Sequence, residues 1–132
     1  EKFILVGDDW KNHSINSLSS NFNPKYTKRL YKGNICLDFG SIEGSSSLYS
    51  RSNAIIEAGG LLLQSKQIDS KNIWADLENK IIFKNFKDLE ILIDKLINNK
   101  HLSNDILLNI SKNFENSQNL IENNFDQIFE KI

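Results

Sequence analysis

A serine-rich loop runs into a predicted helix, and the residues at this junction suit the binding of an anion. The junction contributes three serines, a tyrosine and an arginine: Ser45, Ser46, Ser47, Tyr49 and Arg51. The free backbone N–H groups and positive dipole of a helix start attract negative charge, and an arginine on the first turn can clamp a phosphate through two hydrogen bonds. We therefore predict a diphosphate site here. The alternative is that Arg51 pairs with a surface carboxylate.

The chain has only two arginines, Arg29 and Arg51, and every other basic residue is a lysine. The planar guanidinium fork recognises phosphate in a way that the point charge of a lysine does not. An arginine at position 51 is therefore a specific feature of this helix start, which favours the anion-binding interpretation.

Motifs of several common enzyme classes are missing. The segment GDDWKN after the first predicted strand has one glycine and lacks the G-x-G-x-x-G of dinucleotide-binding folds. Neither a phosphate-binding Walker loop nor a G-x-S-x-G nucleophile elbow is present. His13, His101 and Cys36 do not have the spacing of metal ligands. We therefore expect no metal and no cofactor.

Acidic residues near two strand ends raise the separate hypothesis of a phosphorylation receiver. Asp8 and Asp9 follow the first predicted strand, and Asp38 would be the acceptor. Asp38 lies only 30 residues after Asp8, which leaves room for one helical crossover where a receiver needs two. We therefore reject the receiver, and the simple interpretation of Asp8 and Asp9 is a solvated strand end or a helix N-cap.

Length and composition predict one folded domain spanning residues 1–132. The chain is 39% apolar and 25% charged, with a net charge of −1, so no overall field would draw it to nucleic acid or anionic lipid. Its apolar runs are shorter than the roughly 20 residues of a membrane helix, and a single cysteine cannot form an internal disulfide. We expect a cytoplasmic protein. Without an initiator Met or signal peptide, the chain reads as an excised piece of something longer.

Residues 1–85 alternate between short apolar strands and helices, which predicts an α/β fold with a mostly parallel sheet and helices on both faces. Helices are expected from Pro24 to Gly33, from Tyr49 to Ala58 and near Asp69 or Ser70. The expected strands are Phe3–Val6, a short one near Leu18, Ile35–Phe39, Leu61–Leu63 and Lys80–Phe83. Ligands of such sheets bind outside the carboxyl ends of the strands.

Residues 86–132 have a helical pattern throughout, so a helical C-terminal segment should follow the sheet. The first apolar stripe comprises Leu89, Leu92, Ile93, Leu96 and Ile97. The second comprises Ile106, Leu107, Ile110 and Phe114. The third comprises Ile121, Phe125, Ile128 and Ile132. We expect these stripes to form amphipathic helices.

Four segments between Phe3 and Asn99 follow one another in a recognisable order: FILVGDDW, YTKRLYKGNICLDFG, YSRSNAIIEAGGLLLQ and KIIFKNFKDLEILIDKLINN. This order resembles the carboxy-terminal half of CgeB-like, group 1 glycosyltransferases of the GT-B fold. The first matches a family strand that ends in a glycine with a tryptophan three residues on, here Gly7 and Trp10. The third matches an arginine-led helix that closes on two glycines and a buried strand, here Arg51, Gly59 and Gly60.

This resemblance implies a Rossmann-like sheet of about five strands in the order 2-1-3-4-5. It also implies that this half binds a nucleoside diphosphate sugar at the helix start, with Asp8 and Trp10 opposite. Transfer of the sugar to an acceptor would require the N-terminal, acceptor-binding domain of the GT-B fold, which this chain lacks.

The chain departs from the family at two acidic positions. The alignment places Ala54 where the family has the glutamate that binds the ribose, and Ser46 at an upstream acidic position. Glu57, one turn after Ala54, could approach the same region or could be a plain helix-end carboxylate. Loss of both carboxylates favours the alternative that this is a degenerate, non-catalytic module for nucleotide recognition or protein interaction.

Overall fold

The computed structural model describes residues 4, 17–18, 24–40 and 50–129. These residues form an α/β fold around an open parallel sheet of three strands in the order β1-β2-β3. The strands are β1 (Ile35–Asp38), β2 (Leu61–Ser65) and β3 (Ile82–Phe83). The register aligns Asp38 with Gln64 and Gln64 with Ile82, so side chains of all three strands meet on one face of the sheet.

Six helices surround the described part of the sheet. In chain order they are α1 (Pro24–Tyr31), α2 (Ser50–Glu57), α3 (Ser70–Trp74), α4 (Glu78–Ile81), α5 (Phe86–Asn98) and α6 (Lys100–Phe129). A 3₁₀ turn, Ala75–Leu77, joins α3 to α4. None of the helices in the described ranges is both long and apolar enough to span a bilayer.

Two adjacent glycines make the tight turn from α2 into β2, for different reasons. Gly59 has a φ of +76°, in the left-handed region that glycine enters without strain. At Gly60 a Cβ would lie 2.9 Å from the Tyr31 carbonyl oxygen, so the packing around position 60 leaves no room for a side chain. The turn is tied to β1 by bonds from the Gly33 N–H to the Gly59 carbonyl and from the Leu61 N–H to the Asn34 carbonyl.

The apolar core lies between the sheet and the helices. Its buried side chains come from every strand and from α2 to α6, and Tyr31 of α1 packs against it. The apolar residues with 1% exposure or less are Ile55, Leu62, Leu63, Trp74, Ile81, Ile106 and Ile110. The start of α5 is fixed by Asn85, whose side chain accepts a hydrogen bond from the Asp88 N–H at 2.9 Å. The start of α6 is capped in the same way by Asn99.

Most of the predicted elements in the described ranges are confirmed, with two corrections. The predicted strand Lys80–Phe83 is wrong at Lys80 and Ile81, which belong to α4 and leave only two residues for β3. The second apolar stripe, and the third as far as Ile128, lie on one helix, α6, because no glycine or proline between Lys100 and Phe129 interrupts it. The predicted strand Phe3–Val6 falls outside the described residues except for Ile4, and Leu18 forms a single bridge.

Candidate functional site

A fully buried carboxylate stands at the carboxyl end of β1. Asp38 is the last residue of β1 and has 0% exposure, as has Gln64, its aligned neighbour in β2. Ser52 of α2, also fully buried, reaches the same place, and its hydroxyl donates a hydrogen bond to Asp38 Oδ2. Two strands and a helix therefore bring three buried polar side chains together at the carboxyl ends of β1 and β2.

Hydrogen bonds link these three side chains to Trp74. The Gln64 Nε2 group donates to Ser52 Oγ at 2.8 Å and lies 3.5 Å from Asp38 Oδ2. The Trp74 Nε1–H donates to Gln64 Oε1 at 3.2 Å. A buried polar group without a partner is costly, so this connected arrangement fixes α2 and α3 against the same face of the sheet. We call Asp38, Ser52, Gln64 and Trp74 the buried polar network.

Arg51 lies directly above this network, on the first turn of α2. Its Nη1 atom is 3.8 Å from Asp38 Oδ1, and 54% of its side chain is exposed. The same carboxylate oxygen accepts a hydrogen bond from the Gly40 N–H at 3.0 Å. The two oxygens of Asp38 therefore accept hydrogen bonds from Ser52 and Gly40, and the 3.8 Å contact with Arg51 is longer than a hydrogen bond.

The Asp38–Arg51 contact bears on one of the two interpretations made from the sequence, the pairing of Arg51 with a surface carboxylate. Arg51 does contact a carboxylate, but that of Asp38 is buried at a strand end rather than on the surface. The diphosphate site stays a prediction. A negative charge beside the start of α2 is favoured by the helix dipole. Part of the positive potential expected at this helix start is thus already offset within the protein.

Tyr31, the last residue of α1, is electrostatically coupled to the same charges. Burial raises the pKa of its hydroxyl, the Arg51 charge lowers it, and the nearby Cys36 and Asp38 raise it, with burial the largest effect. The net rise keeps the Tyr31 hydroxyl neutral well above physiological pH.

The backbone around the carboxyl ends of β1 and β2 is held by side chains. Ser65 Oγ donates to the Phe39 carbonyl oxygen at 2.6 Å, and Gln67 Nε2 donates to Ser65 Oγ at 3.0 Å. Gly40 has a φ of +75°, and a Cβ there would collide with the Gln67 side-chain amide. We call Phe39, Gly40, Ser65 and Gln67, together with Arg51, the carboxyl rim.

The structure separates the two described residues among those that the sequence predicted for the site. Arg51 lies at the carboxyl rim, whereas Glu57 ends α2 beside Gly59, near the amino ends of the strands. Six residues of helix correspond to a rise of about 9 Å. The remaining predicted site residues lie outside the described part of the chain: Asp8, Trp10, Ser45, Ser46, Ser47 and Tyr49.

Sequence reasoning missed most of the buried polar network. It considered Asp38 only as a phosphate acceptor and gave no role to Ser52, Gln64 or Trp74. A signal was available, because Asp38 and Gln64 each interrupt an apolar strand at its carboxyl end, in ICLDF and LLLQS.

The described residues offer no competing site with evident chemistry. No group of three or more His, Cys, Asp and Glu side chains within the described ranges comes together as metal ligands would. A half-open cavity of about 300 Å³ lies at the opposite end of the sheet, near Gly33, Leu61 and Lys100, and contains no predicted site residue.

Comparisons with models of protein families, with curated proteins and with solved structures find no match to this chain.

Proposed function

We propose that this chain is the donor-binding half of a glycosyltransferase and binds a nucleoside diphosphate sugar at the carboxyl rim. The observation that carries the proposal is the position of Arg51. It stands on the first turn of α2, at the carboxyl end of a parallel strand, with 54% of its side chain exposed. Ligands of parallel α/β sheets bind at this end, and a guanidinium group matches the geometry of a phosphate.

The sequence resemblance to CgeB-like glycosyltransferases extends this proposal from an anion site to a sugar donor. In that fold the sheet has about five strands in the order 2-1-3-4-5, and the strand near Phe3–Val6 lies beside β1. Asp8 and Trp10 then face Arg51 across the ligand, and the serines from Ser45 to Ser47 reach its phosphates. An N-terminal, acceptor-binding domain supplies the other wall of the active site, and the protein works in the cytoplasm.

A second candidate function is a non-catalytic module of the same fold. Asp38 already offsets charge at the α2 start, and Ala54 stands one turn below Arg51 where the resemblance implies a glutamate. Glu57 lies toward the other end of the helix. These observations favour a domain that recognises a nucleotide, or another protein, without transferring a sugar.

The test of the proposed site is a titration of the 132-residue chain with UDP and GDP, followed by amide chemical shifts. We expect shifts at the carboxyl rim, in the amides of Phe39, Gly40 and Arg51. Gly33 and Gly59, at the opposite end of the sheet, provide an internal control and should not move. The proposal is wrong if neither nucleotide shifts the rim amides, or if the shifts are confined to the end near Gly33 and Gly59.

A further inference from the structure

Phe39 is an aromatic side chain held half-exposed at the carboxyl rim. It directly follows Asp38, and 53% of the residue is exposed. Single exposed apolar residues are ordinary on protein surfaces. Phe39 differs because contacts on two sides fix its position, and both contacts involve strand residues.

The first contact is between aromatic rings. The Phe39 ring packs edge-to-face against the buried Phe83 of β3, with ring centroids 5.6 Å apart and an interplanar angle of 77°. β1 and β3 are separated by β2, and neighbouring strands lie about 4.8 Å apart. The Phe39 side chain therefore leans across the carboxyl end of β2 toward β3.

The second contact fixes the backbone. Ser65 Oγ donates to the Phe39 carbonyl oxygen, and the Gly40 N–H donates to Asp38 Oδ1. Side chains that are held before a ligand arrives lose little conformational entropy when it binds. Phe39 is thus a preorganised aromatic surface at the rim.

Phe39 and Arg51 are connected through Asp38. Asp38 contacts Arg51, and consecutive Cα atoms are 3.8 Å apart, so Phe39 begins one residue from the proposed phosphate site. Asp38 faces α2, where Ser52 and Arg51 contact its carboxylate, whereas the Phe39 ring lies against Phe83 of β3. A nucleotide with its phosphates at Arg51 would extend along the rim past the end of β1, where its base would meet Phe39.

We propose that the Phe39 ring is the surface on which the base of the nucleoside diphosphate stacks. This inference rests on the proposed function and adds a residue that recognises the nucleoside. Every nucleobase presents a π face, so the ring distinguishes a nucleoside diphosphate from a bare diphosphate but does not select one base.

The test compares three ligands, pyrophosphate, UDP and GDP, by calorimetry on the 132-residue chain. We expect Phe39→Ala to weaken UDP and GDP about tenfold or more, the effect of losing one stacked base, and to leave pyrophosphate within about twofold. Phe39→Leu, which keeps an apolar side chain, should lose as much, and Phe39→Trp should retain binding. The matched control is Phe86→Ala, which removes another ring, 80% exposed, at the start of α5.

The outcomes separate this inference from the proposed function. If wild-type protein binds pyrophosphate and UDP with equal affinity and Phe39→Ala changes neither, the base does not stack on Phe39, although the anion site stands. If Phe86→Ala causes the same loss as Phe39→Ala, the effect belongs to exposed aromatic side chains in general and the inference is wrong. If wild-type protein binds none of the three ligands, both proposals fail together.

Discussion

Asp38 is the residue on which the described site depends. Its carboxylate is fully buried and accepts hydrogen bonds from the Ser52 hydroxyl and the Gly40 N–H. The guanidinium group of Arg51 lies 3.8 Å away. Removing one partner of a buried charge strongly destabilises the folded protein, because no water is present to replace the lost interaction. The network therefore links the stability of the domain to the position of Arg51.

A single hydroxyl within this network should have a measurable effect on stability. Ser52→Ala removes the donor to Asp38 Oδ2, and we expect the free energy of unfolding to fall by about 1.5 to 3 kcal/mol, as for hydrogen bonds to charged groups. Ser50→Ala is the matched control, since Ser50 is exposed on the same turn of α2. Urea denaturation measures both, and equal effects of the two substitutions would contradict the role assigned to Ser52.

Cys36 should make the stability depend on pH in the alkaline range. Burial raises the pKa of its thiol from 9.0 to about 11. The unfolded thiol ionises first, so the unfolded state loses protons that the folded state retains, and the free energy of unfolding decreases from about pH 9 to pH 11. Denaturation across this range should show a smaller decrease in Cys36→Ala than in wild type. Parallel curves for the two proteins would show that the thiol is not responsible.

At the scale of secondary structure, local sequence patterns predicted where most of the described strands and helices lie. The strands β1 and β2 were predicted as Ile35–Phe39 and Leu61–Leu63, because each is an apolar run bounded by glycine or polar residues. The observed β1 ends one residue earlier, and the observed β2 ends two residues later. The edge strand Ile82–Phe83 was harder, because the preceding residues Glu78–Ile81 form helix and only two residues pair with β2. Which residues pair across neighbouring strands depends on how the sheet assembles. The spacing of apolar residues along the chain alone could therefore not show that Asp38 is aligned with Gln64.

The α2–β2 turn should respond differently to substitution at its two glycines. Gly60→Ala places a Cβ 2.9 Å from the Tyr31 carbonyl oxygen and 3.0 Å from Ile55 Cγ2, so we expect a loss of about 1 to 3 kcal/mol from overpacking. Gly59→Ala meets nothing within 4 Å, and its cost of about 1 to 2 kcal/mol comes from the positive φ.

Asparagine separates the two causes. Since asparagine tolerates the left-handed region, Gly59→Asn should be milder than Gly59→Ala, whereas Gly60→Asn should be at least as harmful as Gly60→Ala. Thermal or urea unfolding of the four variants measures this. The opposite ranking at position 59 would mean that the backbone conformation there does not control stability.

At the scale of the whole molecule, the described residues supply one side of the candidate site and no second wall. Arg51 and the network come from β1, β2, α2 and α3, all within the same small sheet and its helices. In the proposed GT-B architecture, transfer requires a donor and an acceptor held together in a cleft between two domains. Positioning of this kind can contribute about 7 to 11 kcal/mol to catalysis.

The 132-residue chain alone should therefore transfer no sugar, with or without a divalent metal. Hydrolysis or transfer from UDP- and GDP-sugars can be followed by release of the nucleoside diphosphate. Turnover that appears only after an acceptor-binding domain is added would support the glycosyltransferase proposal. Robust turnover by the chain alone would show that the cleft is unnecessary and would overturn the half-site account.

The central claim is that Arg51 binds the diphosphate of a nucleotide, and calorimetric titration of wild type, Arg51→Ala, Arg51→Lys and Arg29→Ala with UDP tests it most directly. Arg29→Ala is matched to Arg51→Ala in charge and removes the chain's other arginine, which is exposed on α1. We predict that Arg51→Ala weakens binding by about 1.5 to 3 kcal/mol, that Arg51→Lys recovers little, and that Arg29→Ala binds as wild type does. Equal affinity of wild type and Arg51→Ala for UDP would contradict the account.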